Sequence, residues 1–196
     1  MIPKQILHKT MSRFPSFKLC YEKMSHNKVY SEFYLTIPFG KKFFAWFTYI
    51  DKQCVCIFLQ IASKVTKEIE DINIFPVCFD DSLSLGTVLY GTIFTHNKQR
   101  FFNVEDIHYY KGKHTSNHNM GKKLEIYRKM FSNDIKQVSY STKYIVFGLP
   151  NMSANYDELV NRGHFLNYNL YAIQGRSLNH LSHFINIRFN NKSSDK

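Results

Sequence analysis

The sequence predicts a single α+β domain, built mainly on antiparallel β-sheet with one or two packed helices. The chain has 196 residues, a usual size for one domain, and 44% of them are hydrophobic, which is enough for a proper core. Short runs of β-branched and aromatic residues recur between polar or glycine turns, as in strands. Hydrophobic residues recur at helical spacing over 120–131, and a short helix is expected at 155–161.

The strand patterns are strongest in the first half of the chain. Three runs, 33–37, 43–50 and 54–61, are joined by a basic glycine turn and a polar turn, which predicts a hairpin arrangement over 31–61. Both faces of the run 43–50 are apolar, because alternate side chains point to opposite faces of a strand. This strand is therefore expected to be central. Further strands are expected at 75–79, 87–94, 101–110, 143–148, 167–173 and 185–189.

The predicted domain spans residues 31–189. A basic, irregular segment at 1–30 precedes it, with a short helix over 15–24, and a polar tail at 190–196 follows it. A charged connection at 64–71 is expected to form at most one helical turn. The first twenty residues are interrupted by charge and proline, so they do not resemble a signal peptide. No apolar run approaches the length of a membrane span, so no membrane partner is expected.

The charge of the chain favours a polyanionic partner. Its formal net charge is +11, with a pI near 9.4, and 16% of the residues are aromatic. Aromatic and cationic residues are interleaved through 86–128, a mixture that can stack bases and neutralise phosphates. The same mixture also occurs in an ordinary amphipathic hairpin with a charged rim. Together, charge and aromatic content favour a nucleic-acid or nucleotide partner.

The patterns of known catalytic and metal sites are absent from the sequence. It contains no G-x-S-x-G, no H-E-x-x-H and no P-loop. Cys54 and Cys56 lack the second pair of a zinc site, so reduced thiols in the cytoplasm are expected. Glu105 and Asp106 are adjacent, and in a regular strand they would face opposite sides, which does not suit a pair of catalytic carboxylates. We therefore expect no metal and no cofactor.

Four features follow one another in an order that resembles a known family. They are Pro38-Phe39-Gly40-Lys41-Lys42, then a strand containing Leu89-Tyr90-Gly91-Thr92, then the run 101–113, then a helix. The order resembles the nucleotidyltransferase fold of mRNA-capping guanylyltransferases and ATP-dependent ligases. It is closer to the cap-binding domain of snurportin, a non-catalytic relative with a similar proline-glycine-lysine turn and a strand that ends in an aromatic residue, a basic residue and glycine. The similarity covers about residues 33–131.

The sequence departs from the enzymes of this family at their catalytic positions. No aspartate-glycine follows Lys41 or Lys42, where the enzymes carry a nucleophilic lysine. Thr92 stands in place of the metal-binding glutamate, and Tyr90 in place of the preceding aspartate. The resemblance therefore implies a binding protein without the family's chemistry.

The implied function is non-enzymatic binding of the 5′ cap of mRNA. A methylated guanine carries a delocalised positive charge that is attracted to aromatic faces. The resemblance places Tyr110 at the stacking position. The residues themselves offer alternative stacking side chains, base-edge acceptors and phosphate ligands, and packing in the sheet or exposure to solvent stays open for each. These candidates are Tyr109 and Trp46 for stacking, Glu105 and Asp106 for the base edge, and Lys41, Lys42, Lys111 and Lys113 for the phosphates.

Two other functions remain open. One is an active nucleotidyltransferase that uses Lys41 or Lys42, and the other is a general RNA-binding or structural virion protein. Asn, Lys, Ile, Phe and Tyr are plentiful, which is typical of an AT-rich genome such as that of a protist or a large DNA virus. The expected partners are capped mRNA or other RNA, and translation-initiation proteins are open as further ones. If the protein is viral, the cytoplasm of the host is its expected location, in a role in cap-dependent translation of viral mRNA.

Overall fold

A computed structural model of the chain describes residues 9–17, 19, 22–62, 69–181 and 183–191. Strands account for 46% of the structure and helices for 17%. In the described ranges the strands are β1 (Glu22–Ser25), β2 (Phe33–Pro38), β3 (Lys41–Ile50), β4 (Gln53–Ile61), β5 (Ile69–Ile74), β6 (Thr87–His96), β7 (Gln99–Tyr110), β8 (Lys113–His114), β9 (Ile145–Gly148), β10 (Met152–Ser153), β11 (Leu170–Arg176) and β12 (Phe184–Arg188). The helices with both ends in the described ranges are a 3₁₀ helix (Asp81–Leu85), α1 (Met120–Asn133) and α2 (Tyr156–Gly163), and residues 9–11 are also helical.

The strands form two sheets, one of which curls into half a barrel. The large sheet has the order β5-β4-β3-β6-β7-β8, and β9 adds to it by pairing in parallel with β7. The small sheet has the order β1-β12-β11-β2-β10. Most of the pairs are antiparallel, and β1 with β12 is the parallel pair of the small sheet.

The predicted α+β class is wrong, because the fold is β-rich. Two segments that the sequence suggested were helical or irregular are strands. Glu22–Ser25 forms β1, where a helix over 15–24 was expected, and Ile69–Ile74 forms β5 from the end of the charged connection. Both strands lie at the edge of a sheet, where polar side chains can face solvent and the apolar alternation typical of a strand is weak.

The expected hairpin arrangement over 31–61 is correct only in its second half. β3 and β4 pair as a hairpin, with Asp51 and Lys52 in a left-handed turn. β2 pairs instead with β11 and β10, so the glycine turn carries the chain from the small sheet to the large one. Gly40 is needed at this crossing, because a Cβ atom there would lie 2.2 Å from the carbonyl oxygen of Ile93.

The helices in the second half of the chain lie close to their predicted positions. α1 begins where the helical spacing begins, and the side chain of Asn119 caps it by accepting from the amide of Lys122 at 3.0 Å. α2 forms over Tyr156–Gly163, close to the expected short helix. The strand expected at 75–79 does not form, and the segment contributes one isolated bridge, between Phe79 and Ile135.

The core lies on both faces of the large sheet. Phe43, Ala45 and Phe47 of β3 belong to one apolar cluster, and Phe44 and Trp46 belong to another. This confirms the prediction that β3 is a central strand with two apolar faces. A third cluster lies under α2 on the small sheet, and its buried members are Tyr34, Leu159, Leu170, Ile173, Ile187 and Phe189.

The described part of the basic N-terminal segment packs onto the large sheet. The ring of Phe14 lies 5.2 Å from that of Trp46, edge to face, and the ring of Phe17 lies 5.2 Å from that of Phe44. These contacts cover one face of β3 and bring Arg13 to the end of that strand, where its guanidinium donates to the carbonyl oxygen of Tyr49 at 2.7 Å. The described apolar side chains of the segment therefore pack against the core.

A β-bulge interrupts β7 beside β6. The pairing shifts between Tyr90 with Asp106 and Gly91 with Val104, which leaves Glu105 as the extra residue. Gly91 allows the close approach, since a Cβ atom there would lie 2.0 Å from the carbonyl oxygen of Asn103. The bulge breaks the simple alternation that was expected to send the side chains of Glu105 and Asp106 to opposite faces.

Some predictions fall outside the described residues. They concern the start of the basic segment (1–8), most of the charged connection (63–68) and most of the polar tail (192–196). Within the part of the chain that the structure describes, no helix is long and apolar enough to cross a membrane.

Candidate functional site

The neighbouring tyrosines at the end of β7 belong to different parts of the core. Tyr110 packs against the cluster that contains Phe43 and Phe47, and its hydroxyl donates to Oδ2 of Asp134 at 2.6 Å. Burial first, and then this hydrogen bond, raise the pKa of Tyr110. Lys111 holds the other oxygen of Asp134, with Nζ at 2.8 Å, so these contacts tie the end of β7 to the end of α1.

Tyr109 lies on the other side, against the cluster that contains Phe44 and Trp46. Its ring lies 5.0 Å from that of His114 and 6.1 Å from that of Phe17. It is half-buried and lines an open cavity of about 430 Å³, which we call the aromatic cavity. Its lining consists of Arg13, Pro15, Trp46, Thr48, Tyr49, Ser84, Leu85, Gly86, Tyr109 and Gly112.

The aromatic cavity brings together two of the three expected stacking residues. Trp46 is only 3% exposed, and the ring of Phe14 covers it, so it can offer a ligand only a small part of its surface. Tyr109 is more accessible and supplies further aromatic surface. Tyr110 does not line the cavity. Stacking at this site would therefore fall mainly to Tyr109, which lies two strands from Trp46 with Val88 between them.

Ser84 lines the aromatic cavity and carries a buried, unsatisfied hydroxyl. The residue is 3% exposed, and its hydroxyl oxygen is buried without a hydrogen-bond partner in the described structure. Most buried polar groups are hydrogen-bonded, because leaving one unsatisfied costs about 1–3 kcal/mol. The 3₁₀ helix places Ser84 beside Leu85 and Gly86, which line the same wall. The oxygen itself is inaccessible to solvent, so this hydroxyl is not presented to a ligand in the cavity.

The two expected base-edge carboxylates lie elsewhere, in a buried layer of charges. Glu105 is 1% exposed, forms an ion pair with Lys42 and accepts from the hydroxyl of Thr92 at 2.5 Å. Asp106 is also 1% exposed, and its Oδ1 lies 2.6 Å from Nζ of Lys123 on α1. The carboxylates thus hold together β3, β6, β7 and α1, and neither lines the aromatic cavity.

The electrostatics of this layer favour its charged form. Burial alone would raise the pKa of Asp106, but nearby positive charges, with Lys123 the largest and Arg176 among the others, outweigh it and hold that pKa below its usual value. Burial, and then the negative charge of Asp106, raise the pKa of Tyr127. The two carboxylates of the layer are paired with Lys42 and Lys123, as in a structural ion-pair network. The hydroxyl of Tyr127 is buried without a hydrogen-bond partner among the described residues.

The four lysines that were expected to contact phosphates do not form one cluster. Lys42 pairs with Thr92, towards one end of β6. The amide of Lys111 donates to the hydroxyl of Thr87, at the other end of the same strand. Five residues of strand separate these ends by about 17 Å. Lys41 is exposed, with Nζ 3.4 Å from Oε1 of Gln60, and Lys113 is exposed on β8.

Sequence reasoning missed Arg13, Tyr49 and Ser84. Arg13 was noticed only as part of a basic segment, and no local pattern distinguishes Ser84 from any other serine in a loop. The hydrogen bond between Arg13 and Tyr49 joins residues 36 positions apart, so it can be seen only in the folded structure.

The described ranges contain no group of three His, Cys, Asp or Glu residues that could hold a metal ion. No protein-family model matches the sequence, and no curated protein matches it.

Proposed function

We propose that the protein binds RNA without catalysis and holds the base of the mRNA 5′ cap in the aromatic cavity. A single observation carries the proposal: Trp46 and Tyr109 line one cavity, with Arg13 in its wall. The volume of about 430 Å³ lies within the range of small-molecule sites, about 300–1,000 Å³. A base is the ligand that best suits an aromatic wall with few polar groups in a chain of net charge +11.

The ring of Tyr109 is the proposed stacking surface. A cap guanine that is methylated at N7 carries a positive charge, which strengthens its attraction to an electron-rich ring. Arg13 has donors left beyond the one that Tyr49 accepts, and they can reach the sugar or the phosphates.

The absence of catalysis is part of the proposal. Covalent nucleotide transfer needs a lysine that can reach the ligand's phosphate. Lys42 contacts Glu105 and lies 5.6 Å from the centre of the Tyr90 ring, so its amino group points into the protein. Lys41 is exposed, but neither lysine lines the aromatic cavity. On this proposal the cytoplasm is the natural place of action, because capped mRNA is translated there, and a viral mRNA is the natural ligand if the source is a virus.

The single tryptophan of the chain provides the test. Because Trp46 lines the cavity, we expect saturable quenching of its fluorescence on titration with 7-methylguanosine triphosphate. Tyr109→Ala should weaken binding by about 1–3 kcal/mol, the usual contribution of one stacked base. Tyr140→Ala is the matched control, since Tyr140 is 79% exposed and lies outside the cavity. Equal affinities of the wild type and Tyr109→Ala would refute the assignment.

A competition experiment then separates cap binding from general RNA binding. Capped and uncapped RNAs of one sequence compete for the wild-type protein at a fixed salt concentration. We expect the wild-type protein to bind the capped RNA more tightly than the uncapped RNA, and Tyr109→Ala to bind the two equally. Equal binding of both RNAs, with a steep dependence on salt, would instead identify a general RNA-binding protein. Incubation with labelled GTP or ATP and magnesium tests the enzymatic alternative, for which a protein–nucleotide adduct is the positive result.

A further inference from the structure

A second cavity adjoins the aromatic cavity. Its volume is about 360 Å³, and Arg13 and Tyr49 line both cavities, so the two spaces meet at this pair of residues. The other lining residues come from the helical turn at 9–11 and from the β3–β4 turn, and we call this space the cationic cavity. Its described lining consists of Lys9, Thr10, Arg13, Tyr49, Ile50, Asp51 and Lys52.

The charges of the cationic cavity are unbalanced. Lys9, Arg13 and Lys52 contribute three positive charges and Asp51 contributes one negative charge, so the described lining carries a formal net charge of +2. Lys9 and Lys52 form no ion pair with described residues. Arg13 donates from Nη2 to the carbonyl oxygen of Tyr49, which fixes its guanidinium between the cavities without neutralising it.

The fold holds these charges at one place. The β3–β4 turn has Asp51 and Lys52 in left-handed conformations, with φ values of 47° and 66°, which defines the position of both side chains relative to the end of β3. Phe14, one residue after Arg13, packs between Trp46 and Phe44 and so anchors the helical turn against the same strand. The aromatic cavity and the cationic cavity are therefore adjacent at the end of β3.

We infer that the cationic cavity is a polyphosphate subsite, which takes the phosphate chain of a nucleotide whose base lies in the aromatic cavity. This inference rests on the proposed function and specifies its ligand. Several phosphates in a row concentrate negative charge. The lining of the cationic cavity, with three cations and a net charge of +2, suits such a phosphate chain better than the single charge of an internal phosphodiester. The site thus selects a terminal nucleotide with a 5′-polyphosphate or a triphosphate bridge, whether free or at the end of an RNA.

The test compares ligands with and without phosphates on matched variants. Fluorescence of Trp46 is followed during titration with 7-methylguanosine, 7-methylguanosine triphosphate and a short capped RNA. The test variant is Lys9→Gln/Lys52→Gln. The control is Lys122→Gln/Lys129→Gln, which removes the same charge from exposed positions on α1.

We expect the wild type to bind the triphosphate at least roughly tenfold more tightly than the nucleoside. The test variant should lose most of this advantage, bind the nucleoside as the wild type does, and show a salt dependence reduced by about two charges. The control should retain the affinity of the wild type. The capped RNA should displace the triphosphate if the site recognises RNA ends, whereas displacement only by the free triphosphate would identify a nucleotide as the ligand.

The outcomes separate this inference from the function on which it rests. If the nucleoside binds but the triphosphate binds no more tightly, the aromatic site stands and the polyphosphate subsite is overturned. The same conclusion follows if the control variant loses as much affinity as the test variant, because the effect is then one of total charge. If the nucleoside itself does not bind to the wild type, the proposed function fails.

Discussion

The amino group of Lys123 on α1 lies 2.6 Å from Oδ1 of Asp106 on β7, and both side chains are almost completely buried. Asp106 also accepts from the amide of Ile107 at 2.8 Å. A buried ion pair adds little net stability, because desolvation of the two charges offsets their attraction, but the loss of one partner strands the other charge. This pair makes the docking of α1 onto the large sheet depend on both residues.

We predict that Lys123→Met destabilises the protein by about 3–5 kcal/mol, because Asp106 is left buried and unpaired. Urea unfolding followed by circular dichroism measures the change. The double variant Lys123→Met/Asp106→Leu should recover most of the loss. Arg162→Ala, which removes an exposed pair with Glu158, serves as the control and should cost no more than about 0.5 kcal/mol. A single variant as stable as the wild type would contradict the prediction.

The same pair predicts a dependence of stability on acid. The pKa of Asp106 is lower in the folded protein than its unfolded value of about 3.9. The stability that this difference contributes is therefore present above about pH 3.9 and is lost as the pH falls through the folded pKa. Urea unfolding at pH 7 and near pH 3 should show a smaller acid-induced loss in the Lys123→Met/Asp106→Leu variant than in the wild type. Equal losses would show that other carboxylates, such as Glu32 and Asp80, dominate.

Gly91 is predicted to be intolerant of any side chain. The Cβ atom of Gly91→Ala would lie 2.0 Å from a backbone oxygen of β7, so the bulge must open to accept it. We expect a loss of about 1–3 kcal/mol in the free energy of unfolding. Gly148→Ala is the matched control, since a Cβ atom there meets nothing within 4 Å, and its stability should change by less than about 1 kcal/mol. Similar effects at both positions would argue against the tight bulge.

Tyr110 is predicted to affect stability rather than binding. Tyr110→Phe removes the hydroxyl that donates to Asp134, a hydrogen bond to a charged group of the kind that contributes about 1.5–3 kcal/mol. Thermal or urea unfolding should show this loss, while the affinity for 7-methylguanosine triphosphate should equal that of the wild type. If Tyr110→Phe is as stable as the wild type but binds the cap analogue more weakly, Tyr110 and not Tyr109 would be assigned the stacking role.

Tyr109 and Tyr110 show how much of the candidate site can be predicted from the sequence. Strand alternation separates Tyr109 from Tyr110, but it does not say which face will carry a cavity. That choice depends on what covers each face: α1 and Asp134 on the side of Tyr110, and the N-terminal segment on the side of Tyr109. The family resemblance favoured Tyr110, whereas the proposed site uses Tyr109. The carboxylates at 105 and 106 were candidates for the base edge, with a structural role left open. The lysines that neutralise them come from distant parts of the chain.

The sequence by itself determined the features that depend on local periodicity and composition. It identified β3 as a central strand with two apolar faces, and it predicted the position of α1. Its excess of positive charge favours polyanionic ligands. Only the tertiary structure decided which sheet β2 joins, how Glu105 and Asp106 are neutralised, and that Arg13 lies beside Tyr49. The physical reason is that a side-chain period of two or 3.6 residues is set by the neighbouring backbone, whereas strand partners and ion pairs are selected by packing between segments that are far apart in the chain.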